Sequence, residues 1–225
     1  MAAVLQGLRV LDLSRCLAGS MTAMLLGDYG ADVTKIEPPS GDPMRNHPGH
    51  LVWDRGKRSV VLDLTTTADV DTMYELARRS DVLIESFSPG RATELGVDYP
   101  TLSITNSRLI HCPITGYGRQ GPWADRPGWD GLVQARSGMQ SEQPAVGRDG
   151  PVFLHTPLPS YGAFFLASAA VNAALRVREQ TGRGQWVETS LRQGAMLWTT
   201  MIWTRAETPT PPWCPGHKEG ACPHH

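Results

Sequence analysis

Charge of neither sign dominates this sequence: 21 Lys and Arg stand against 22 Asp and Glu, for a net charge of -1 over 225 residues. That balance gives no electrostatic ground for a nucleic acid or an anionic membrane as partner. Long hydrophobic runs are missing as well, none approaching a membrane span. The start, Met1-Ala2-Ala3-Val4-Leu5-Gln6, lacks the basic and apolar regions of a signal peptide, so the expected location is the cytoplasm. Cysteine is scarce: four residues, Cys16, Cys112, Cys214 and Cys222, are too few for a disulfide scaffold. Cys16 and Cys112, near the ends of apolar runs, read as buried thiols. What the chain does have is 40% hydrophobic residues, enough to bury a core as one domain, or as a domain and a fragment.

The apolar residues come in short β-branched runs at 8–13, 33–37, 59–64, 82–85, 109–114 and 186–189, which read as buried strands. Helical patterns at 21–29, 68–79 and 161–179 lie among them, the last two closing on basic residues that suit a helix C-terminus. The alternation predicts an α/β, Rossmann-like parallel sheet with helices on both faces. Two long irregular segments, 38–57 and 115–128, follow strands, and in such a sheet they should border the ligand crevice.

Two motifs are weaker than they look. Gly116-x-Gly118-x-x-Gly121 has dinucleotide-binding spacing, with Glu142 about twenty residues on. Pro122, Pro127 and Gly128, however, prevent the helix whose N-terminal amides would meet a pyrophosphate. Neither NAD nor FAD is expected. In the tail, Cys214-x-x-His217 and Cys222-x-His224-His225 match no common zinc spacing, and no metal is expected. Ser160, just before an apolar run, reads as the N-cap of a helix starting at Tyr161.

Several blocks together resemble the class III CoA-transferases, the CaiB/BaiF family, whose members include formyl-CoA transferase, carnitine CoA-transferase and α-methylacyl-CoA racemase. They are Gly7-Leu8-Arg9-Val10-Leu11-Asp12-Leu13-Ser14, the run from Leu26-Gly27-Asp28-Tyr29-Gly30 to Glu37-Pro38-Pro39, Arg55-Gly56-Lys57-Arg58-Ser59, Ser86-Phe87-Ser88-Pro89-Gly90, Gly128-Trp129-Asp130, and Thr181-Gly182-Arg183-Gly184-Gln185. They stand in family order and span residues 7 to about 200. The resemblance implies the N-terminal, large-domain half of the CaiB/BaiF fold over 1–205, with 206–225 a Pro/Gly/Cys/His-rich linker or the start of a second domain. It implies CoA or acyl-CoA and a small carboxylic acid as substrates. It also implies a homodimer, or association with a paralogous or missing second half. CoA contacts map onto Arg15, Cys16, Leu17, Ala18, Leu62, Phe87, Gly90 and the neighbourhood of Arg126. Basic residues common in the family are replaced by Thr65 and Glu94, and Arg91, Lys57 and Arg58 are the candidates to compensate. The glycines of the 116–121 segment are, on this resemblance, a loop that closes over the reacting groups.

Counting back without gaps from Thr181-Gly182-Arg183-Gly184-Gln185 puts the family's nucleophilic aspartate at Ser160. The family reaction needs a carboxylate that becomes first a mixed anhydride and then an enzyme thioester on one side-chain carbonyl. A hydroxyl has no carbonyl for CoA to occupy. Asp149 and Glu142 precede Ser160 by a loop but are out of register with the helix start. The histidine of the racemases is replaced by Trp129, and their aspartate also falls at Ser160. Two readings therefore stand: a CoA-transferase of this family, or a non-catalytic CoA-fold subunit that supports an active paralogue. An acyl-CoA racemase is less favoured than either.

Overall fold

The β-branched runs form strands in a computed structural model that describes residues 3–140 and 151–203. β1 (Arg9–Leu13), β2 (Asp32–Glu37), β3 (Arg58–Val61), β4 (Val82–Glu85), β5 (Ile110–Thr115) and β6 (Thr189–Ser190) lie in the order β3-β2-β1-β4-β5-β6, every pairing parallel. β4 and β5 are buried at every position, as strands covered on both faces must be, whereas β3 at the edge is largely exposed. The connections leaving β1 and β4 run to opposite sides of the sheet and open a crevice at the strands' carboxyl ends.

Helices cover both faces: α1 (Leu17–Asp28), α2 (His50–Trp53), α3 (Thr67–Arg78), α4 (Arg91–Glu94), α5 (Tyr99–Thr105), α6 (Asp130–Arg136), α7 (Leu158–Thr181) and α8 (Leu191–Trp203). One core joins Val10, Ile84 and Ile110 to α1 and α7, with Ala23, Ala167 and Val171 at its centre. The other packs Leu11, Leu83 and Leu109 against Met73, Ala77 and Leu102 of α3 and α5. Two helices start earlier than the sequence pattern indicates. α1 takes in Gly19, because a Cβ there would lie 2.2 Å from that of Ser14 and only glycine permits the approach. α7 takes in Pro159, since proline's missing N–H does no harm in a first turn. α7 is long and apolar enough by composition to cross a bilayer, yet half of that stretch is buried inside this fold. Glu142, Asp149, the Cys/His pairs of the tail and the 206–225 segment fall outside the described residues.

The 38–57 segment is more ordered than its Pro, Gly and His content suggests. It contains a 3-10 turn (Pro43–Asn46) and α2, and buried charge ties it to the sheet. Asp12 on β1 has no exposed surface; its Oδ2 lies 2.8 Å from Lys57 Nζ and 3.6 Å from Lys35 Nζ. Lys57 also meets Asp54 at 2.6 Å and donates to the Ser20 carbonyl, while Lys35 meets Asp42 at 2.7 Å. Burial alone would push the Asp12 carboxyl up, but Lys57 and Lys35 outweigh it and hold it below the usual carboxylate range. Burial would likewise depress the Lys35 ammonium, and Asp12, Asp42 and Asp54 raise it instead. Further along the same segment, hydrogen bonds from Arg45 and Ser59 overcome the burial of Glu37 and bring its carboxyl down to about 2.

A different buried pair gains no such compensation. Burial pushes Glu85, at the end of β4, up to about 7, and drives the neighbouring His111 of β5 down to about 4. His111 Nε2 is 3.8 Å from Glu85 Oε1, and neither ring nitrogen finds a hydrogen-bond partner among the described residues. The Glu85 carboxyl ionises near 4.5 when unfolded and near 7 when folded, so its destabilising contribution is absent below 4.5, grows between the two values and is complete above 7. Glu85→Gln keeps an oxygen for the Phe87 N–H. It should therefore raise stability by about 1–3 kcal/mol at pH 8, with the gain shrinking as pH falls towards 4.5. Urea midpoints at pH 8 and pH 5 measure it; an equal gain at both would show that Glu85 does not titrate in this window.

The first turns of α7 and α8 meet through glycine. A Cβ on Gly162 would sit 2.1 Å from the Gly194 carbonyl oxygen, and one on Gly194 would sit 2.2 Å from that of Pro159. Helix propensity alone makes Gly162→Ala stabilising by about 0.5–1 kcal/mol, but forcing a methyl into backbone costs about 1–3 kcal/mol. The expected result is a net loss of about 1–2 kcal/mol in urea unfolding at unchanged m-value. A gain would mean that the two helices do not touch as described.

Candidate active site

The crevice between the ends of β1 and β4 holds a cavity of about 210 Å³, with Leu13, Arg15, Leu62, Thr65, Phe87 and Arg91 on its walls. The Arg15 guanidinium lies over the Phe87 ring, 5.6 Å from its centroid, and the Arg15 backbone N–H donates to Ser86 Oγ at 2.8 Å. Both loops are fixed from below. The Phe87 N–H donates to Glu85, and Gly90 adopts φ 82°, a left-handed conformation that favours glycine, to start α4. Four of the residues singled out in the sequence, Arg15, Leu62, Phe87 and Arg91, thus line one cavity, with Gly90 beside Arg91. Cys16, Leu17 and Ala18 follow Arg15 into the N-terminus of α1, where Ala18 is fully buried.

Arg126 is not part of this group. It lies exposed in the 116–129 loop, where its backbone N–H donates to the Trp123 carbonyl. Lys57 and Arg58 do not line this cavity either. Lys57 is consumed by Asp12 and Asp54, and Arg58 pairs with Asp32 across the β2–β3 edge. Arg91, although paired with Glu94 at 2.9 Å, remains exposed on the cavity wall, and Arg15 has no carboxylate partner among the described residues. Thr65 turns its hydroxyl to Asp63 Oδ1 at 2.6 Å.

A second group assembles at the start of α7. Ser160 is not the N-cap: Pro157 holds that place, and Ser160 is the third helical residue, 2% exposed. Its backbone N–H donates to Asp130 Oδ1 at 2.8 Å and its hydroxyl donates to Asp130 Oδ2 at 2.7 Å. Asp130, the first residue of α6, therefore caps α7 from thirty residues away and lies against the helix's positive end. Sequence reasoning missed this role because capping rules look for partners within three residues. Burial raises the Cys16 thiol, and the charges of Asp12 and Asp130 add to the rise, so the start of α1 and the Asp130–Ser160 pair share one end of the sheet.

After the 116–121 glycines no helix opens until Asp130. Gly116 and Gly128 instead pack backbone on backbone, a Cβ on Gly116 lying 2.5 Å from the Gly128 Cα, which closes the base of the loop. One trio among the described residues brings metal-ligand atoms together, Asp42, His50 and Asp54. The Lys35 ammonium already stands 2.7 Å from Asp42 and 3.4 Å from Asp54, so lysine fills the cation's place.

Known proteins of similar fold and sequence give these groups a context. The chain matches the profile of CoA-transferase family III over residues 5–223. It is 39% identical over 199 residues to the succinyl-CoA–L-malate CoA-transferase alpha subunit of Chloroflexus aurantiacus, a match covering 83% of this chain and 46% of that one. To the beta subunit from the same organism it is 38% identical over 198 residues, covering 83% and 49%. A crystal structure of a CaiB/BaiF family protein from Brucella suis superposes with a TM-score of 0.83 at 32% identity, covering 90% of this chain and 58% of that one. The chain spans about half the length of the relatives it matches. With a family match over nearly its whole length, and a parallel sheet shared with a solved CaiB/BaiF structure, this chain belongs to CoA-transferase family III.

Proposed function

We propose that this chain is the CoA-binding half of a family III CoA-transferase, and that position 160 does not itself carry the acyl group or the CoA. The observation behind the proposal is the Asp130–Ser160 contact. The side chain standing where the family resemblance implies a nucleophilic carboxylate is a hydroxyl, buried and donating to a neighbour's carboxylate. The serine side chain has no carbonyl on which a mixed anhydride or an enzyme thioester could form, so the exchange through those two intermediates cannot run on this residue. The relatives act as CoA-transferases by name, and two of them are alpha and beta subunits. Those names favour a reading in which the reacting carboxylate belongs to a paralogous subunit or second half, and this chain contributes the crevice of Arg15, Phe87 and Arg91. The substrates on this reading are an acyl-CoA and a small carboxylic acid, and the location is the cytoplasm.

The crevice fits the part proposed for it. Two arginines, one of them stacked on an aromatic ring, face a cavity of mixed polar and apolar walls, an arrangement suited to a phosphate and a flat ring on one ligand. Arg15→Glu should weaken CoA binding by about tenfold or more in a calorimetric titration. Unchanged affinity would place CoA elsewhere.

The decisive experiment incubates the chain, together with its second half or partner, with acyl-CoA and examines it by mass spectrometry for an enzyme-bound CoA thioester. None is expected on the wild-type chain; a thioester on Asp130 would overturn the non-catalytic reading. Ser160→Asp adds a stability test. The introduced carboxylate would face Asp130 at hydrogen-bonding range, and two carboxylates so placed share a proton. A carboxyl whose folded pKa is raised destabilises above its unfolded value, so the variant should lose about 1–3 kcal/mol at pH 8 and recover towards pH 5. Thermal unfolding at the two pH values reads the difference; a pH-independent change would mean the side chains do not meet.

A further inference from the structure

Beside the first turn of α8 lies a cavity of about 220 Å³ that neither the CoA crevice nor the Asp130–Ser160 pair uses. Tyr117, Trp123, Val133, Arg136, Arg192 and Met196 are on its walls. The Arg136 and Arg192 guanidinium groups lie 5.0 and 5.1 Å from the centroid of the Trp123 ring, and Tyr117 meets that ring edge-on at 5.7 Å. Stacking on an aromatic face orients a guanidinium without neutralising it. Several other arginines of the fold are paired with carboxylates: Arg45 with Glu37, Arg55 with Asp28, Arg58 with Asp32, Arg178 with Asp81. Arg136 and Arg192 have no acidic partner among the described residues, so two positive charges face one small, mostly apolar space. Tyr117 supplies an independent sign. It is 6% exposed, and its hydroxyl finds no hydrogen-bond partner among the described residues, a state that a buried polar group leaves when a ligand or water reaches it.

The cavity opens at the same end of the sheet as the crevice. Arg192 stands two residues past the end of β6, and its N–H donates to the Gly116 carbonyl at the base of the 116–129 loop. Two residues further on, the Gly194 backbone touches Pro159 and Ala163, on either side of Ser160. CoA is far too large for the space; at about 30 Å³ per water-sized group it holds an acid of fewer than about ten heavy atoms.

We infer that this cavity binds a small organic acid, Arg136 and Arg192 supplying the counter-charge for its carboxylate and the Trp123 and Tyr117 rings receiving its apolar body. Arginine is the side chain suited to a planar carboxylate, and aromatic walls favour an organic acid over a bare inorganic anion. The inference stands apart from the CoA reading, because it uses neither Arg15 nor Ser160.

Calorimetric titration of the full chain with benzoate, benzamide and inorganic phosphate tests it. Benzoate should bind, and benzamide, the same shape without the charge, should bind at least about tenfold more weakly. Phosphate should be weaker than benzoate. Arg192→Gln and Arg136→Gln should each weaken benzoate by about tenfold while leaving thermal unfolding unchanged, Arg192→Lys should retain part of the affinity, and Trp123→Leu should weaken benzoate and benzamide alike. Equal binding of benzoate and benzamide, phosphate binding tighter than benzoate, absence of benzoate binding at millimolar concentration, or a folded Arg192→Gln variant with undiminished affinity would each overturn it. CoA affinity, measured in parallel, is expected to be the same in all these variants.

Discussion

The carboxylate of Asp12 is the constraint around which this end of the fold is arranged. It points into the protein from the middle of the sheet with no exposed surface, and an unpaired charge there would be untenable. Two lysines answer it. Lys35 is one strand away, in register with it, but Lys57 lies forty-five residues along the chain and reaches Asp12 only if the whole 38–57 segment folds back across α1. Asp54 and Asp42 then complete the pairing on the lysines' other sides. A Pro- and Gly-rich stretch thus becomes a fixed wall. Its continuation places β3 beside β2 and carries Leu62 and Thr65 to the crevice. Removing one member would leave the others as buried, uncompensated charge, which is why the cluster holds as a unit.

The same bookkeeping of orphan groups governs the start of α7. In the first turn of α7 the Leu158 N–H donates to the Thr156 carbonyl and Pro159 has no N–H, but the Ser160 N–H still needs a partner from outside the helix. Asp130 accepts from the Ser160 N–H, and because that donor is backbone, the contact fixes the relation of α6 to α7 whatever side chain stands at 160. α8 is then held against α7 by the glycine pair and by the Trp198 ring nitrogen, which donates to the Leu158 carbonyl.

Most of the architecture was legible in the sequence because it follows from periodicity. Runs such as Val82-Leu83-Ile84 have one environment in which they are stable, and their alternation with helices leaves little choice of sheet. The lining of the crevice by Arg15, Leu62, Phe87 and Arg91 was legible only through family resemblance, since nothing local marks those four as neighbours. What could not be read was every feature that depends on distant partners. Lys57 looked available because its carboxylates lie at positions 12 and 54, in separate blocks of sequence. Ser160 looked like a cap because its true partner is thirty residues upstream. α8 was overlooked because Gly194, which weakens a helix in isolation, is required there by the backbone of α7.

Backbone and side chain divide the work at Ser160, so the contact between α6 and α7 does not depend on a carboxylate at that position. In the Asp130 contact, the N–H of residue 160 does the structural work and the hydroxyl fills the second oxygen. A second carboxylate at 160 would have to bring a proton or repel Asp130, whereas serine brings its own proton to the contact. The crevice at Arg15 and Phe87 draws on neither atom, so the cavity between β1 and β4 and the Asp130–Ser160 contact are built by separate parts of the fold, and a change at one need not disturb the other.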